Sequence, residues 1–348
     1  MTHSGNVVVI VDGPDPDNYA CALAATSEAL DLNVVAAIVT GRPVSSAQDA
    51  KPHDFRAGAS KAVRRDNALH MKGILTRHGR GRVPVFEGNR APYTTVPHGM
   101  HIHERVIDIY DDAHADFELA GDFDQAVQYL AGIPGPLHIV CGGPLTDAAR
   151  LACEPTVREK LGIITAQLGM FGSPNVKTIA GGRRQFNVIA DPFAAEEILT
   201  KYWNAVYLIP TDITKDPAHA FDDPDDIAAL SQSDAFGELA EMYKKAWPVM
   251  WGPRNEKIYV HDFHAAELMS SLLYSEQPPH RKVSREAVDI GRYTTLPAGI
   301  GGVPTGNNEK ERWGEIDLTD KLDAWRPRFR ITRVDTSTNR DVLSRVLN

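Results

Sequence analysis

The sequence predicts an α/β fold, a doubly wound and mainly parallel sheet flanked by helices and carrying helical cap insertions. Three observations predict it. Short β-branched or apolar runs recur along the chain, each ends in a polar or glycine-containing loop, and helix-like stretches separate them. Strands buried on both faces read as continuous apolar runs, which is the pattern of a parallel sheet.

The first run is Val7-Val8-Val9-Ile10-Val11, ending in Asp12-Gly13-Pro14-Asp15-Pro16-Asp17-Asn18. Tyr19 to Leu30 is alanine-rich with helical periodicity. Asn33 to Val39 is a second strand, closed by Thr40-Gly41. A helix is expected within the polar, basic stretch Lys51 to Arg80. Val83 to Phe86 is a short strand ending in Glu87-Gly88-Asn89. A helix near Asp122 to Ala131 leads into the strand Leu137 to Cys141 and its Gly142-Gly143-Pro144 end. Further strands are expected at Leu161 to Ala166 and Ala205 to Ile209. Helices are expected at Pro192 to Thr200, Asp234 to Trp247 and Asp262 to Leu272. The chain closes with a strand at Phe329 to Val334 and a helix at Arg340 to Leu347. We read residues 1–348 as a single domain with polar excursions near 42–82 and 211–257, which suit lids or a small helical cap.

Composition narrows the function. The 348 residues include 37 basic and 46 acidic side chains, a formal net charge of −9, with 43% hydrophobic content. That supports a sizeable core. The diffuse acid excess and absent basic stripe argue against nucleic-acid binding. Cys21, Cys141 and Cys153 are too few and scattered for a disulfide framework or zinc knuckle. No run is long enough to span a bilayer, and the N-terminus lacks a secretory signal. The expectation is a soluble cytoplasmic enzyme. Gly181-Gly182 and Gly299 to Gly302 lack dinucleotide or P-loop spacing, and no nucleophile elbow is present.

Ligands of doubly wound sheets sit at the carboxyl ends of the strands, so the residues just past each strand matter most. Asp12, Asp15 and Asp17 fall within six residues at the first strand end. Such a cluster is unfavourable unless a cation or hydrogen bonds compensate it, and oxygen-only ligands suit Ca²⁺ or Mg²⁺. An aspartate N-cap with two solvated neighbours explains the loop equally well.

The same residues resemble a family. Inosine-uridine preferring nucleoside hydrolases open with a strand followed by Asp-Pro-Gly-x-Asp-Asp-Ala, and Val11 to Asn18 is similar to it. Laid without gaps, Asp12 and Asp17 match that motif's calcium ligands; a one-residue insertion would place Asp17 and Asn18 at the paired aspartates. Pro84-Val85-Phe86-Glu87-Gly88 is similar to the Pro-Val-x-x-Gly strand end. Gly143-Pro144-Leu145-Thr146-Asp147 resembles Gly-Pro-Leu-Thr-Asn. Gln185-Phe186-Asn187 with Asp191-Pro192-Phe193-Ala194-Ala195 resembles Glu-Phe-Asn…Asp-Pro-x-Ala-Ala, and His261-Asp262 resembles the family's His-Asp pair. Gln185 stands where the family has a sugar-binding glutamate, Arg42 where it has an asparagine, Pro16 where the gap-free register has the middle aspartate, and Ile179 where a further asparagine falls.

The resemblance implies hydrolysis of the N-glycosidic bond of a ribonucleoside or modified ribosyl compound, with Ca²⁺ as cofactor and a homo-oligomeric assembly. It implies metal ligation by Asp12, Asp17, Thr146 through its carbonyl, and Asp262. Asp12 is the candidate general base, and His261, with an ordinary pKa near neutrality, the candidate acid for the leaving base. Its alternative is a polar residue paired with a nearby carboxylate. Substrate contacts are expected from Asp15, Asn18, Arg42, Gln185, Asn187 and His98. Gln185 removes a charge relative to glutamate, and Arg42 suits a carboxylate or phosphate, so the substrate is expected to tolerate an anionic or unusual group; Arg42 paired with Asp15 or Asp17 is the alternative. Asn187 otherwise caps a strand end. His98, His101 and His103 are read as a solvated or substrate-edge loop rather than a transition-metal site. Trp247, Trp251 and Tyr259 either stack on a base or bury the cap helix. The altered Gln185, Arg42 and Pro16 also admit a catalytically inactive ribosyl-binding protein of the same fold.

Overall fold

The computed structural model describes residues 5–13, 16–41, 61–90, 117–171, 185–216, 220–221, 224–229, 234–250, 258–274, 281–285, 288–290, 316–318 and 328–334. The strands are β1 Asn6–Val11, β2 Asn33–Gly41, β3 Val85–Arg90, β4 Leu137–Cys141, β5 Leu161–Gln167, β6 Val206–Ile209, β7 Arg281–Arg285, β8 Val288–Ile290, β9 Ile316–Leu318 and β10 Arg328–Val334. The helices are α1 Pro16–Ala25, α2 Lys61–Arg77, α3 Phe123–Gly132, α4 Thr146–Cys153, α5 Pro155–Arg158, α6 Phe186–Ala190, α7 Pro192–Glu196, α8 Thr211–Thr214, α9 Pro224–Ala229, α10 Asp234–Met250 and α11 Phe263–Tyr274.

Eight strands form one sheet in the order β3-β2-β1-β4-β5-β6-β10-β7, and β8 pairs with β9 separately. Every pairing from β3 to β10 is parallel, and β7 closes the edge antiparallel to β10. The chain runs outward from β1 through β2 to β3, then returns to β4 on the other side of β1. The switch point of the doubly wound sheet therefore lies between β1 and β4, where a crevice opens at the strands' carboxyl ends.

β1 sits inside the sheet because nothing from Val7 to Val11 needs water. Side chains alternate across a sheet. Val7, Val9 and Val11 join one core with α1, α2, α10 and α11, while Val8 and Ile10 join the other with α3, α4 and α7. Both sets are fully buried. Truncating Ile10 to alanine removes packing on a face that cannot collapse, at about 2–5 kcal/mol. All ten residues of α1 are buried, packed between the sheet and α11. Its alanines allow that close approach.

The helix expected within Lys51–Arg80 is α2. Met71, Ile74 and Leu75 pack on β2 and β3, so this half of the 42–82 stretch is a crossover helix of the sheet rather than a lid. The helix expected over Pro192–Thr200 is α7 followed by a π-helical turn at Glu197–Lys201. Within 211–257, Leu239, Met242 and Tyr243 of α10 are buried against the α1 side of the core. The helix expected at Arg340–Leu347 lies outside the described residues. Among the described residues, no helix is long and apolar enough to cross a membrane.

Candidate active site

Asp12 is the first residue past β1, and Asp262 immediately precedes α11. Both are buried, and both pack against the diglycine that ends β4. A Cβ on Gly143 would lie 2.8 Å from Asp12 Cβ and 3.1 Å from its Cγ. A Cβ on Gly142 would lie 2.9 Å from Asp262 Cβ and 3.0 Å from its Cγ. Neighbouring Cα atoms are about 3.8 Å apart, so two aspartates far apart in sequence are brought against adjacent residues of one dipeptide. Only glycines leave room for both.

Two buried thiols register the same convergence. Burial pushes Cys141 up first, and Asp12 and Asp262 push it further. Burial also pushes Cys21 up, and Asp262 and Asp17 add to it. Asp17 lies in the first turn of α1 and accepts a hydrogen bond from the Tyr243 hydroxyl of α10. The region is strongly negative and its side-chain donors are oxygens, which fits a hard divalent cation better than zinc. Among the described residues, no group of three or more His, Cys, Asp or Glu side chains is placed to hold a metal by itself. Main-chain carbonyls, waters or sugar hydroxyls have to complete the coordination of any ion held there.

Asn18 lies in the first turn of α1. It is fully buried, and its Oδ1 accepts the Asp12 N–H at 3.0 Å, fixing the backbone from which the Asp12 side chain projects. From α2, Asn67 Nδ2 donates to the Gly13 carbonyl at 3.2 Å and steadies the same turn.

Thr146 opens α4. Its hydroxyl donates to Asp191 Oδ2 at 2.8 Å, while Asp191 Oδ1 caps α7 through the Ala194 N–H. The hydroxyl is therefore anchored. Beside it, Asp147 accepts from the Thr40 hydroxyl at 2.7 Å and from the Asn89 backbone and side-chain amides at 2.7 and 2.8 Å. This carboxylate ties the ends of β2 and β3 to α4. Burial nevertheless holds its pKa above the ordinary value.

His261 departs from its expected state. Burial, reinforced by the nearby Lys215 ammonium, pushes it down to about 3, so the imidazole is neutral near physiological pH. Its Nδ1 is 2.7 Å from the Thr214 hydroxyl, and Tyr259 stacks on the ring with centroids 5.8 Å apart. If the hydroxyl donates to Nδ1, Nε2 carries the proton and can donate to a departing base. Burial lowers the pKa of Lys215 itself, and Asp17 opposes that.

The amides at the end of β5 form one network. Gln185 N-caps α6, with its Oε1 accepting the Val188 N–H at 3.1 Å and its Nε2 donating to Gln167 Oε1 at 2.9 Å. Asn187 Nδ2 donates to the Gly142 carbonyl and the Gln167 carbonyl, each at 2.9 Å, and to Gln167 Oε1 at 3.1 Å. Gln185 is thus a helix cap as well as a candidate contact, and Asn187 bridges the ends of β4 and β5.

The structure sets Asp12 and Asp262 against adjacent glycines, links Asn187 to one of them and to Gln167 with Gln185, and ties Asn18 to the Asp12 backbone; Thr146 bonds to Asp191, Asp17 to Tyr243 and His261 to Thr214. Asp15, Arg42, His98, Trp251 and the side chain of Trp247 lie outside the described residues. Sequence reading missed Gln167, Tyr243, Lys215, Asn67 and the role of Asp147. Gln167 was the one within reach, because it is the last residue of β5 and the strand-end rule applies to it.

The family model described as inosine-uridine preferring nucleoside hydrolase matches residues 59–323. No curated protein matches the chain. Among solved structures, a plant nucleoside hydrolase is similar at 20% identity and a TM-score of 0.67, covering 99% of each chain. An inosine-uridine preferring nucleoside hydrolase from Bacillus anthracis is similar at 15% identity and a TM-score of 0.67, again over 99% of each chain. A purine-preferring ribonucleoside hydrolase from Gardnerella vaginalis is similar at 15% identity and a TM-score of 0.65, over 98% of each. At these identities the structural likeness speaks for the fold.

Proposed function

The chain belongs to the inosine-uridine preferring nucleoside hydrolase family, and from that premise we propose that it hydrolyses the N-glycosidic bond of a ribonucleoside or modified ribosyl compound, with calcium as cofactor. The observation that supports the reading is the packing of Asp12 on Gly143 and of Asp262 on the adjacent Gly142 at the switch point of the sheet. Asp12, Asp17, Asp262 and the Thr146 carbonyl would hold the ion. Bound there, a divalent cation lowers the pKa of a coordinated water and orients sugar hydroxyls.

The chain's own residues supply the rest. The Asp12 carboxylate charge favours the positive anomeric carbon as it develops, and one carboxylate oxygen takes a proton from the attacking water as the new bond forms. The Asn18 Oδ1 bond to the Asp12 N–H holds that carboxylate in place. Asn187 offers its Oδ1 to a sugar hydroxyl. His261 gives the leaving base a hydrogen bond from Nε2 while Thr214 occupies Nδ1, so the base departs as a stabilised anion when the C–N bond breaks. Asp15, Arg42 and His98 are assigned to the substrate edge, with Gln185 acting through its helix cap and its bond to Gln167. The implied assembly is a homo-oligomer in the cytoplasm.

Release of reducing sugar from a panel of purine and pyrimidine ribonucleosides in calcium buffer tests the reading, with Asp12→Asn as control. Release by the wild type and a loss of about 10²–10⁴-fold in the variant are expected. Equal release by both, or none by either, contradicts it. Saturable nucleoside binding without release would identify the inactive ribosyl-binding protein, the reading that the capped, uncharged Gln185 favours.

A further inference from the structure

The candidate cation ligands are held from different parts of the chain. Asp12 is fixed by its own turn, through the Asn18 Oδ1 bond to its N–H and the Asn67 bond to the Gly13 carbonyl. Asp262 packs on Gly142. Asp17 is held by a helix of the 211–257 excursion, because the Tyr243 hydroxyl of α10 donates to its Oδ1. Asp17 stands in the first turn of α1, where the helix dipole already favours a carboxylate. Both partners are buried. Water therefore competes little for the bond, and a hydrogen bond to a charged group in such surroundings is a strong one. The Lys215 ammonium also acts on Asp17, but a charge acts from any direction. The hydroxyl meets one carboxylate oxygen along one direction, so it fixes how the carboxylate is turned. The Tyr243 ring belongs to the hydrophobic core with Leu239 and Met242, and α10 packs on α1. The ring is thus anchored independently of the bond, and the hydroxyl goes where the helix goes.

We propose that Tyr243 is a positioning residue for the cation: it fixes the orientation in which the Asp17 carboxylate meets the ion, and through that bond cation binding and the docking of α10 favour each other. The inference rests on the reading that Asp12, Asp17 and Asp262 hold a divalent ion. It deepens that reading by making α10 a part of the cation site rather than a cover over it. Coupling between two such events is reciprocal. If the docked hydroxyl raises the affinity for the ion by some factor, the bound ion lowers the open fraction of α10 by the same factor. Phenylalanine at 243 keeps the ring in the core and removes only the hydroxyl, so it separates this coupling from packing.

Calorimetric calcium titration and hydrogen–deuterium exchange, both on the full chain, test the proposal. Tyr243→Phe is expected to raise the calcium Kd by about tenfold. In the wild type, saturating calcium should slow amide exchange over Asp234–Met250 at least about fivefold more than it slows exchange in α3, which serves as the reference for global stabilisation. In Tyr243→Phe the calcium effect on α10 should fall to within about twofold of that on α3. The Asp17→Ala/Tyr243→Phe double variant should bind calcium no more weakly than Asp17→Ala alone, because both remove one bond. Should Tyr243→Phe give no folded protein, Asp17→Ala breaks the same bond from the other side. Calcium sufficient to occupy that variant should then slow α10 no more than α3. A tyrosine that only packs the core predicts a different pattern: α10 exchanges faster in Tyr243→Phe by the same factor with and without calcium, at a wild-type calcium Kd. That pattern overturns the proposal, as does calcium protection of α10 that persists in Asp17→Ala. A calcium Kd unchanged by Tyr243→Phe but raised at least about a hundredfold by Asp12→Asn removes the proposal alone and leaves the metal reading standing. No calcium bound by the wild type removes both.

Discussion

The ends of β1 and β4 and the end of β5 lie side by side but are built on opposite principles. At β1 and β4, carboxylates are crowded over glycines, and the nearby thiols are pushed up by burial and further by the carboxylate charge. At β5, neutral amides bond to one another and to the backbone. The first arrangement concentrates negative charge and gains from a cation. The second is satisfied without a ligand except at one acceptor. One end of the crevice is tuned for charge and the other for orientation, so substitutions at the two should fail differently.

The largest effect is expected at the acidic end. Asp12→Asn, or removal of divalent ions by chelation, should lower turnover by about 10²–10⁴-fold. Chelation should also lower the thermal midpoint, because an ion bound only by the folded state stabilises it. A chelated enzyme with full activity and an unchanged melting curve would erase the contrast between the two regions.

Gly143→Ala should come next. Its Cβ would meet Asp12 Cβ at 2.8 Å and the Asp12 backbone nitrogen at 3.0 Å, so the end of β1 has to shift. Overpacking of this kind costs about 1–3 kcal/mol. Denaturant unfolding should show that loss, accompanied by weakened calcium binding in calorimetry. Full stability with wild-type calcium affinity would mean that the two aspartates are not held by the diglycine.

How much of this was legible in the sequence follows the same division. Strand ends announce themselves through composition: the β-branched β1 run and the glycines after β4 place Asp12, and the His261-Asp262 pair flags the start of α11. That placed most of the acidic end and most of the sheet. The amide end was half legible. Gln185 and Asn187 stand out through their resemblance to the family's Glu-Phe-Asn segment, but their engagement with Gln167 depends on α6 docking at the β4–β5 edge, a contact no local pattern encodes. Tyr243 reaches Asp17 from more than two hundred residues away in sequence. The His261 pKa was misjudged because burial is a property of packing, not of residue type.

A smaller effect should sharpen the contrast by pH. Burial raises the Asp147 carboxyl above 3.8 in spite of its hydrogen bonds. A raised folded-state pKa favours folding while the group is protonated, so its contribution is complete below 3.8 and declines as pH rises through the folded value. Asp147→Asn keeps the shape and drops the charge. Its melting temperature relative to wild type should therefore rise between pH 4 and pH 8, by a shift corresponding to about 1 kcal/mol. A relative melting temperature that falls with pH would contradict the assignment.

The smallest effect is expected far from the site. Burial of Glu238 on α10 is outweighed by hydrogen bonds from His78 and Arg77, which hold its pKa below 4.5. A depressed carboxyl stabilises above its unfolded pKa and loses that contribution as pH falls through the folded one. Glu238→Gln should cost no more than about 1 kcal/mol at pH 7, less in high salt, and nothing in strong acid, as read from melting curves. Activity should be unchanged, because neither region of the crevice is touched.

The central claim, that Asp12 and Asp262 act together over Gly142-Gly143 to bind a divalent cation, is tested most directly by calorimetric calcium titration of the wild type, Asp12→Asn and Asp262→Asn. The account predicts one calcium per chain in the wild type and a loss of affinity of at least about a hundredfold in each variant. Wild-type affinity retained in either variant, or no calcium bound by the wild type, would contradict it.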